Sequence, residues 1–172
     1  MTIIEQLDTH YSTQSIVALA NEVSTKPKKF DEIFQIFLIG EIKLQKRAAW
    51  ALCHVAEKKP QLFKSYYPLL IQKLIPVNQH TAIYRSIFKC FQETEIPEDF
   101  VAMVFDNCLR FMMNEAQEAA VRAYAISTAS KCAKPYPELQ AELKMILNEL
   151  RLLPQSKAVS VRLKRAMKDL DL

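Results

Sequence analysis

The sequence has very little of what phosphate-binding and catalytic motifs require. Glycine occurs once in 172 residues, at Gly40, so the glycine-rich loops that cradle phosphate groups are excluded. Neither the Gly-x-Ser-x-Gly pattern of hydrolases nor the His-Glu-x-x-His pattern of zinc peptidases occurs. The three histidines, His10, His54 and His80, lie far apart in the chain. We therefore expect no catalytic residues, no cofactor and no metal site.

Long apolar runs and closely spaced cysteines are also absent. No uninterrupted apolar run approaches the ~20 residues that span a bilayer. The first residues lack the basic region and apolar core of a secretory signal. No two cysteines have the Cys-x-x-Cys spacing of metal and redox motifs, and each lies in an apolar helical stretch: Cys53, Cys90, Cys108 and Cys132. We expect a cytoplasmic protein without a membrane segment, whose cysteines are reduced core residues.

The charge balance shows only a mild excess of one sign. There are 23 basic and 19 acidic residues, which give a net charge of +4, and no segment of the chain carries most of the excess. A dedicated nucleic-acid-binding protein usually has a denser positive field. The composition therefore does not favour nucleic acid as the main partner.

A repeat is the most informative feature that the sequence does contain. Four arginines recur at intervals of 38, 37 and 40 residues: Arg47, Arg85, Arg122 and Arg162. Three prolines follow the first three of these arginines by 13, 12 and 13 residues: Pro60, Pro97 and Pro135. A period near 40 residues is typical of helical arrays, in which one hairpin buries its apolar face by stacking on the next.

Apolar residues within each repeat recur at helical spacing, so we predict an all-α right-handed superhelix, a solenoid of about four helical hairpins. The segments are a capping region over residues 1–27 and hairpins over about 28–60, 61–97, 98–137 and 138–172. Local signals add detail. Gly40 is predicted to close a helix in the left-handed conformation, Pro68 to kink or restart one, and Asn114 with Gln117 to form a capping box.

One stretch carries a family resemblance. Residues 45–52, with the sequence Gln-Lys-Arg-Ala-Ala-Trp-Ala-Leu, resemble the second helix of a HEAT repeat, which has a basic residue, paired alanines and a following Ala-Leu. Small residues at such positions let adjacent helices approach to the ~8–10 Å of close packing. The resemblance extends over nearly the whole chain and implies a single HEAT-like domain over residues 1–172.

The chain departs from the family at one position of the repeat. HEAT repeats commonly place an acidic residue six positions before the arginine, where it forms an ion-pair ladder between repeats. Only Glu41, before Arg47, fits this pattern. The equivalent residues are uncharged: Gln79, Ala116 and Ser156. We therefore describe the repeats as HEAT-like and do not expect a continuous ladder.

The resemblance implies that the second helices line a concave face. The candidate binding residues on that face are Arg47, Arg85, Arg122, Arg162, Lys43, Lys89 and Trp50. The arginines have an alternative role, in which they bond loop carbonyls or acids of the preceding repeat while their stems cover apolar surface, and we favour this structural role. Trp50 with Tyr66 and Tyr67 is either an aromatic contact site or, as we favour, packing between hairpins.

Two functions remain open at this point. The first is a non-catalytic scaffold that binds another protein or a peptide through its concave face, an interpretation that follows from fold analogy. The alternative is a nucleic-acid-binding protein resembling the HEAT-like alkylpurine DNA glycosylases, with Glu41, Trp50 and Arg85 gathered in a concave site. The sequence identifies neither the partner nor the oligomeric state.

Overall fold

The computed structural model describes residues 1–9 and 12–171, and within these ranges it contains ten α-helices, one 3-10 helix and no strand. This confirms the predicted all-α fold class. His10 lies outside the described residues. The helices are α1 (Ile3–Thr9), α2 (Thr13–Val23), α3 (Pro27–Ile39), α4 (Ile42–Lys58), the 3-10 helix (Pro60–Tyr66), α5 (Tyr67–Lys73), α6 (Thr81–Glu93), α7 (Glu98–Met113), α8 (Ala119–Ala133), α9 (Pro137–Leu152) and α10 (Lys157–Asp169).

Consecutive helices are arranged in pairs within two compact units. The first unit, Met1–Glu95, contains α1 to α6, and the second, Ile96–Leu172, contains α7 to α10. In the first unit, α4 packs against α2, α3 and α6. In the second, α8 packs against α7, α9 and α10. None of the helices in the described part of the chain combines the length and apolarity that crossing a bilayer requires.

Prolines mark the beginnings of the first helices of successive pairs. Pro27 is the first residue of α3, Pro60 opens the 3-10 helix, Pro97 is the N-cap of α7 and Pro137 is the first residue of α9. Proline suits these positions because the first backbone N–H groups of a helix have no partner within the helix. Pro68 lies at the start of α5, directly after the 3-10 helix, which confirms the predicted restart.

Gly40 does not adopt the predicted left-handed conformation. Its φ is −67° and its ψ is 174°, so the chain leaves α3 in an extended conformation, with the Gly40 N–H donating to the carbonyl of Ile36 at 2.9 Å. Glycine is needed there for a different reason. A Cβ atom at this position would lie 2.5 Å from the carbonyl oxygen of Ile36, so the close approach of two backbone segments selects glycine.

The predicted capping box at Asn114 is also wrong. The Asn114 side chain accepts a hydrogen bond from the N–H of Ala116 at 3.0 Å, and its carbonyl accepts one from Gln117 at 3.0 Å. Asparagine readily forms such a turn with its own backbone two residues on. The following helix consequently begins later, at Ala119, after the N-cap residue Glu118.

Aromatic rings join the second and third helix pairs of the first unit. Tyr66 packs against Phe34 with ring centroids 4.3 Å apart and against Phe30 at 5.0 Å. Tyr67 is fully buried and stacks on Phe91 at 5.5 Å. The two tyrosines therefore serve packing, the role favoured from the sequence.

The four cysteines are free and buried, as predicted. Cys108 and Cys132 lie in the second unit, on α7 and α8. Burial raises the pKa of the Cys108 thiol well above its usual range, and burial raises the pKa of Cys132 to about 12. Desolvation has this effect because it disfavours the thiolate, and it keeps both groups in the unreactive thiol form.

Helix α8 is the centre of the second unit and is buried around most of its circumference. Such burial requires small side chains where neighbouring helices approach closely, and alanine fills four of the buried positions: Ala123, Ala125, Ala129 and Ala133. One face of α8 stays partly open beside α10. The open face carries Ala120, Tyr124 and Ser127, and it forms part of the site described next.

Candidate functional site

The four repeated arginines lie at similar positions of the second helices. Each falls within the first six residues of its helix, α4, α6, α8 or α10. A cation near the start of a helix is not favoured by the dipole of that helix, but it can reach carbonyl groups at the C-terminal end of a neighbouring helix. The described contacts separate the arginines into different roles.

Arg47 bonds the C-terminal end of α1. Its Nη1 atom donates to the carbonyl oxygens of Leu7 at 2.5 Å and Asp8 at 2.9 Å, and only 14% of its side chain is exposed. Lys43 forms an ion pair with the Asp8 carboxylate. The hydrogen bond from Lys43 lowers the pKa of Asp8. Two of the three predicted site residues of α4, Lys43 and Arg47, therefore hold α4 against a helix of the preceding pair.

Arg122 has a similar partner within its own pair. Its Nε atom donates to the carbonyl oxygen of Met112 at 2.9 Å, near the C-terminal end of α7, and the residue is only 8% exposed. Its Nη2 atom is buried without a hydrogen-bond partner. A side chain with so little exposed surface is poorly placed to contact a partner.

Arg85 contacts no helix end among the residues that the structure describes, and a lysine bridges the corresponding pairs. Lys73 of α5 donates to the carbonyl oxygen of Leu38 at 2.6 Å and to Oε1 of Gln45 at 3.1 Å. Burial lowers the pKa of Lys73. Lys73 was not predicted from the sequence because it lies on the first helix of a pair, outside the repeat of arginines. Its position in the last turn of α5 is the signal that could have identified it.

Trp50 and Lys89 lie on two helices, α4 and α6, that pack together in the first unit. The Trp50 ring lies 6.2 Å from the ring of His54, and Nδ1 of His54 lies 3.3 Å from Oε2 of Glu57. Lys89 pairs with the other carboxylate oxygen of Glu57 at 2.5 Å. The hydrogen bond from Lys89 is the main reason why the pKa of Glu57 is lowered. The charge of Lys89 is thus largely balanced.

Of the residues proposed for a glycosylase-like site, Glu41 and Trp50 lie well apart on one helix. Glu41 is the N-cap of α4 and is exposed. Trp50 lies nine residues further along the same helix, about 13 Å along its axis. Arg85 is on α6. Across residues 1–9 and 12–171, no group of three or more His, Cys, Asp or Glu side chains could hold a metal ion.

A cavity of about 610 Å³ lies beside the loop between α5 and α6, and hydrogen bonds to helix ends occupy much of its polar lining. Gln45 donates to the carbonyl of Gly40 at 2.6 Å, Gln79 donates to the carbonyl of Lys73, and Lys73 bonds Leu38 as described above. These contacts close the C-terminal ends of α3 and α5. The cavity is therefore best described as a junction between helix pairs.

The second unit contains another site, beside Arg162. A cavity of about 520 Å³ lies between the N-terminal halves of α8 and α10. Apolar and aromatic groups form much of its wall, and two basic residues flank them. Its lining consists of Ala120, Ala123, Tyr124, Lys157, Ala158, Val161 and Arg162. Val161, one of these lining residues, is 45% exposed.

A second cavity of about 330 Å³ follows between the C-terminal halves of the same two helices. Its lining is more polar and consists of Ser127, Ser130, Lys131, Lys134, Asp169 and Leu170. Of the predicted site residues, only Arg162 lines either cavity in the second unit. Tyr124 and Val161 were not among the predicted site residues, because helical periodicity does not reveal that the neighbouring side chains are too small to cover them.

The family comparison agrees with this architecture. The HEAT repeat domain model matches residues 3–170 of the chain. No curated protein and no solved structure matches the chain. A match over nearly the whole length, together with the consecutive helix pairs, shows that this chain belongs to the HEAT repeat domain family.

Proposed function

We propose that this chain is a non-catalytic interaction protein that binds another protein or a peptide through its second helices, with α8 and α10 as the main contact surface. The observation that carries the proposal is the cavity beside Arg162, where Tyr124 and Val161 provide apolar contact area next to a cation. Aromatic residues and arginine are enriched among the residues that dominate protein interfaces.

The contacts of the other candidate residues support a narrower site than the full row of arginines. Arg47 and Arg122 bond helix ends, while Lys43 and Lys89 form ion pairs. We assign these four residues to holding helix pairs together. Arg162 is the arginine of the row that we assign to binding. Trp50 and Arg85 remain candidates for a second contact region in the first unit.

A capture experiment tests the proposed function. The full chain is immobilised and exposed to an extract of the source cells, with and without nuclease treatment, and the captured proteins are identified. We expect at least one protein to be captured equally well after nuclease treatment and to be lost when the bait carries Tyr124→Ser. The matched control is Tyr136→Ser, which alters a half-buried tyrosine outside both cavities.

Two results would contradict the proposed function. Capture that disappears after nuclease treatment would mean that nucleic acid mediates it, and this would favour the nucleic-acid-binding alternative. Equal capture by all three baits would mean that the α8 and α10 surface is not the contact surface.

A further inference from the structure

The two cavities of the second unit follow one another along α8 and α10. Residues from the N-terminal halves of α8 and α10 line one cavity, and residues from the C-terminal halves line the other. The two helices therefore run in the same direction. On α8 the lining residues are spaced three or four apart, from Ala120 through Tyr124, Ser127 and Lys131 to Lys134, so they share one helix face. We call this surface the α8–α10 groove.

The charged groups of the α8–α10 groove are mostly basic. Lys157 and Arg162 lie at one end, Lys131 and Lys134 lie at the other, and Asp169 is the one carboxylate in the lining. Four cations against one anion leave a local excess of positive charge, whereas the whole chain has 23 basic and 19 acidic residues. Complementary charge is what selects among partners for such a surface.

We infer that the α8–α10 groove binds an acidic peptide segment that carries one large apolar side chain. This inference rests on the proposed function and specifies its partner. The apolar side chain contacts Tyr124 and Val161, and acidic side chains on either side of it meet the basic residues at the two ends of the groove.

The dimensions of the groove suit a short segment. Ala120 and Lys134 are fourteen residues apart on one helix, which corresponds to about 21 Å along the axis. An extended peptide covers this distance with about six residues. An apolar residue near one end of such a segment would reach Tyr124, and acidic residues four or five positions away would reach Lys131 and Lys134.

The lining favours a peptide over a nucleic acid. A phosphate backbone carries a negative charge at every nucleotide, so it is matched best by a continuous row of cations. The α8–α10 groove instead has its apolar wall, with Tyr124 and Val161, beside one pair of cations, and it places Asp169 beside the other pair. A segment with separated charges and an apolar anchor matches this arrangement better.

Selection from a random peptide library tests the inference. Twelve-residue peptides displayed on phage are selected on the full chain and sequenced. Enriched peptides are then synthesised, and their dissociation constants are measured by fluorescence anisotropy at two salt concentrations. We expect an excess of Asp and Glu around one large apolar residue, and weaker binding at higher salt.

Variants then locate the binding site. Arg162→Ala and Val161→Ser should each raise the dissociation constant about fivefold or more. Lys164→Ala removes the same charge from an exposed position of α10 outside the groove, and it should change the dissociation constant less than twofold, as expected for a peripheral charge. Arg162→Gln replaces Arg162→Ala if circular dichroism shows that the latter is less helical.

Three results would overturn the inference. The enriched peptides could lack an acidic excess, their binding could be unchanged in Arg162→Ala and Val161→Ser, or no peptide could be enriched at all. Displacement of the selected peptides by a single-stranded oligonucleotide at lower concentration than by free peptide would identify the groove as a nucleic-acid site. Nuclease-resistant capture of a cellular protein that is lost in Tyr124→Ser, together with selected peptides that have no acidic excess, would leave the proposed function standing while removing this inference.

Discussion

Arg47 donates a hydrogen bond to the carbonyl oxygen of Leu7 at 2.5 Å, across 40 residues of sequence. The contact fastens α4 to the end of α1, a helix of the preceding pair. Carbonyl groups at a helix C-terminus have no partner within the helix and carry partial negative charge. A guanidinium group therefore supplies both a hydrogen-bond donor and a positive charge. The repeated arginine at this position therefore has a structural reason to be present.

Replacement of Arg47 tests this role. Arg47→Met keeps most of the apolar stem but leaves the carbonyls of Leu7 and Asp8 without their donor. We expect a loss of roughly 1–3 kcal/mol in the free energy of unfolding, measured by urea denaturation. Arg85→Met is the matched control, since no described carbonyl accepts from Arg85, and it should cost less. Equal losses in the two variants would contradict the capping role of Arg47.

Gly40 provides a test in which the sign of the effect is informative. Replacing glycine by alanine at a compatible position usually stabilises a protein by about 0.4–1 kcal/mol. At Gly40 the added Cβ would lie 2.5 Å from the carbonyl oxygen of Ile36, so we expect Gly40→Ala to destabilise the chain by roughly 1–3 kcal/mol. Thermal and urea denaturation measure this change.

Gly40→Asn distinguishes close approach from a left-handed backbone. Asparagine tolerates the left-handed conformation better than alanine does. Because Gly40 is extended, we expect Asn and Ala to be similarly destabilising at this position. A markedly smaller cost for Asn would favour the left-handed conformation predicted from the sequence.

The acid sensitivity of the chain should depend on Glu22. Hydrogen bonds from Lys29, Gln6 and Lys26 lower the pKa of Glu22 from 4.5 to about 2. Its contribution to stability is fully present above pH 4.5 and is lost as the pH falls through about 2, because the unfolded chain takes up the proton first. Glu22→Gln should therefore make the decline in stability between these pH values shallower.

The matched control for Glu22 removes a different carboxyl group. Glu32 is exposed on α3 and forms no ion pair among the described residues. Glu32→Gln should leave the decline in stability over the same pH range nearly unchanged. Urea denaturation at a series of pH values measures both variants, and identical curves for Glu22→Gln and the unmodified chain would contradict the assignment.

The buried thiols should react slowly in the native protein. At pH 8 a chromogenic thiol reagent should modify all four cysteines rapidly in urea and few of them in buffer alone, because the thiolate is the reactive form and burial disfavours it. The raised pKa values of Cys108 and Cys132 make these two slow to react. Rapid labelling of either one in the native protein would contradict the described burial.

Much of the fold could be predicted from the sequence, since prolines and helical periodicity are local signals. Pro27, Pro60 and Pro97 mark helix starts because proline lacks the backbone donor that the first turn does not use. The local signals gave a wrong prediction where one residue type fits two different backbone structures. Gly40 suits both a left-handed turn and a close approach, and Asn114 suits both a helix cap and an isolated turn.

The site could be predicted only in part. Arg162 was identified from the repeat, but Tyr124 was not, because periodicity does not reveal how large the facing side chains are. Ala120, Ala123 and Ala158 leave Tyr124 partly exposed, and this depends on which helix packs against α8. The structural partners of Arg47 and Arg122 are backbone carbonyls, and a sequence pattern cannot identify such acceptors.

We propose that the repeated arginines are divided between structure and binding. One comparison of two variants distinguishes these roles. Arg47→Met and Arg162→Ala are compared with the unmodified chain in melting temperature and in nuclease-resistant capture of the cellular partner. We predict that Arg47→Met melts several degrees lower and still captures the partner, whereas Arg162→Ala melts almost unchanged and loses it. Loss of capture in both variants without loss of stability would contradict the division, as would loss of stability in both with capture intact.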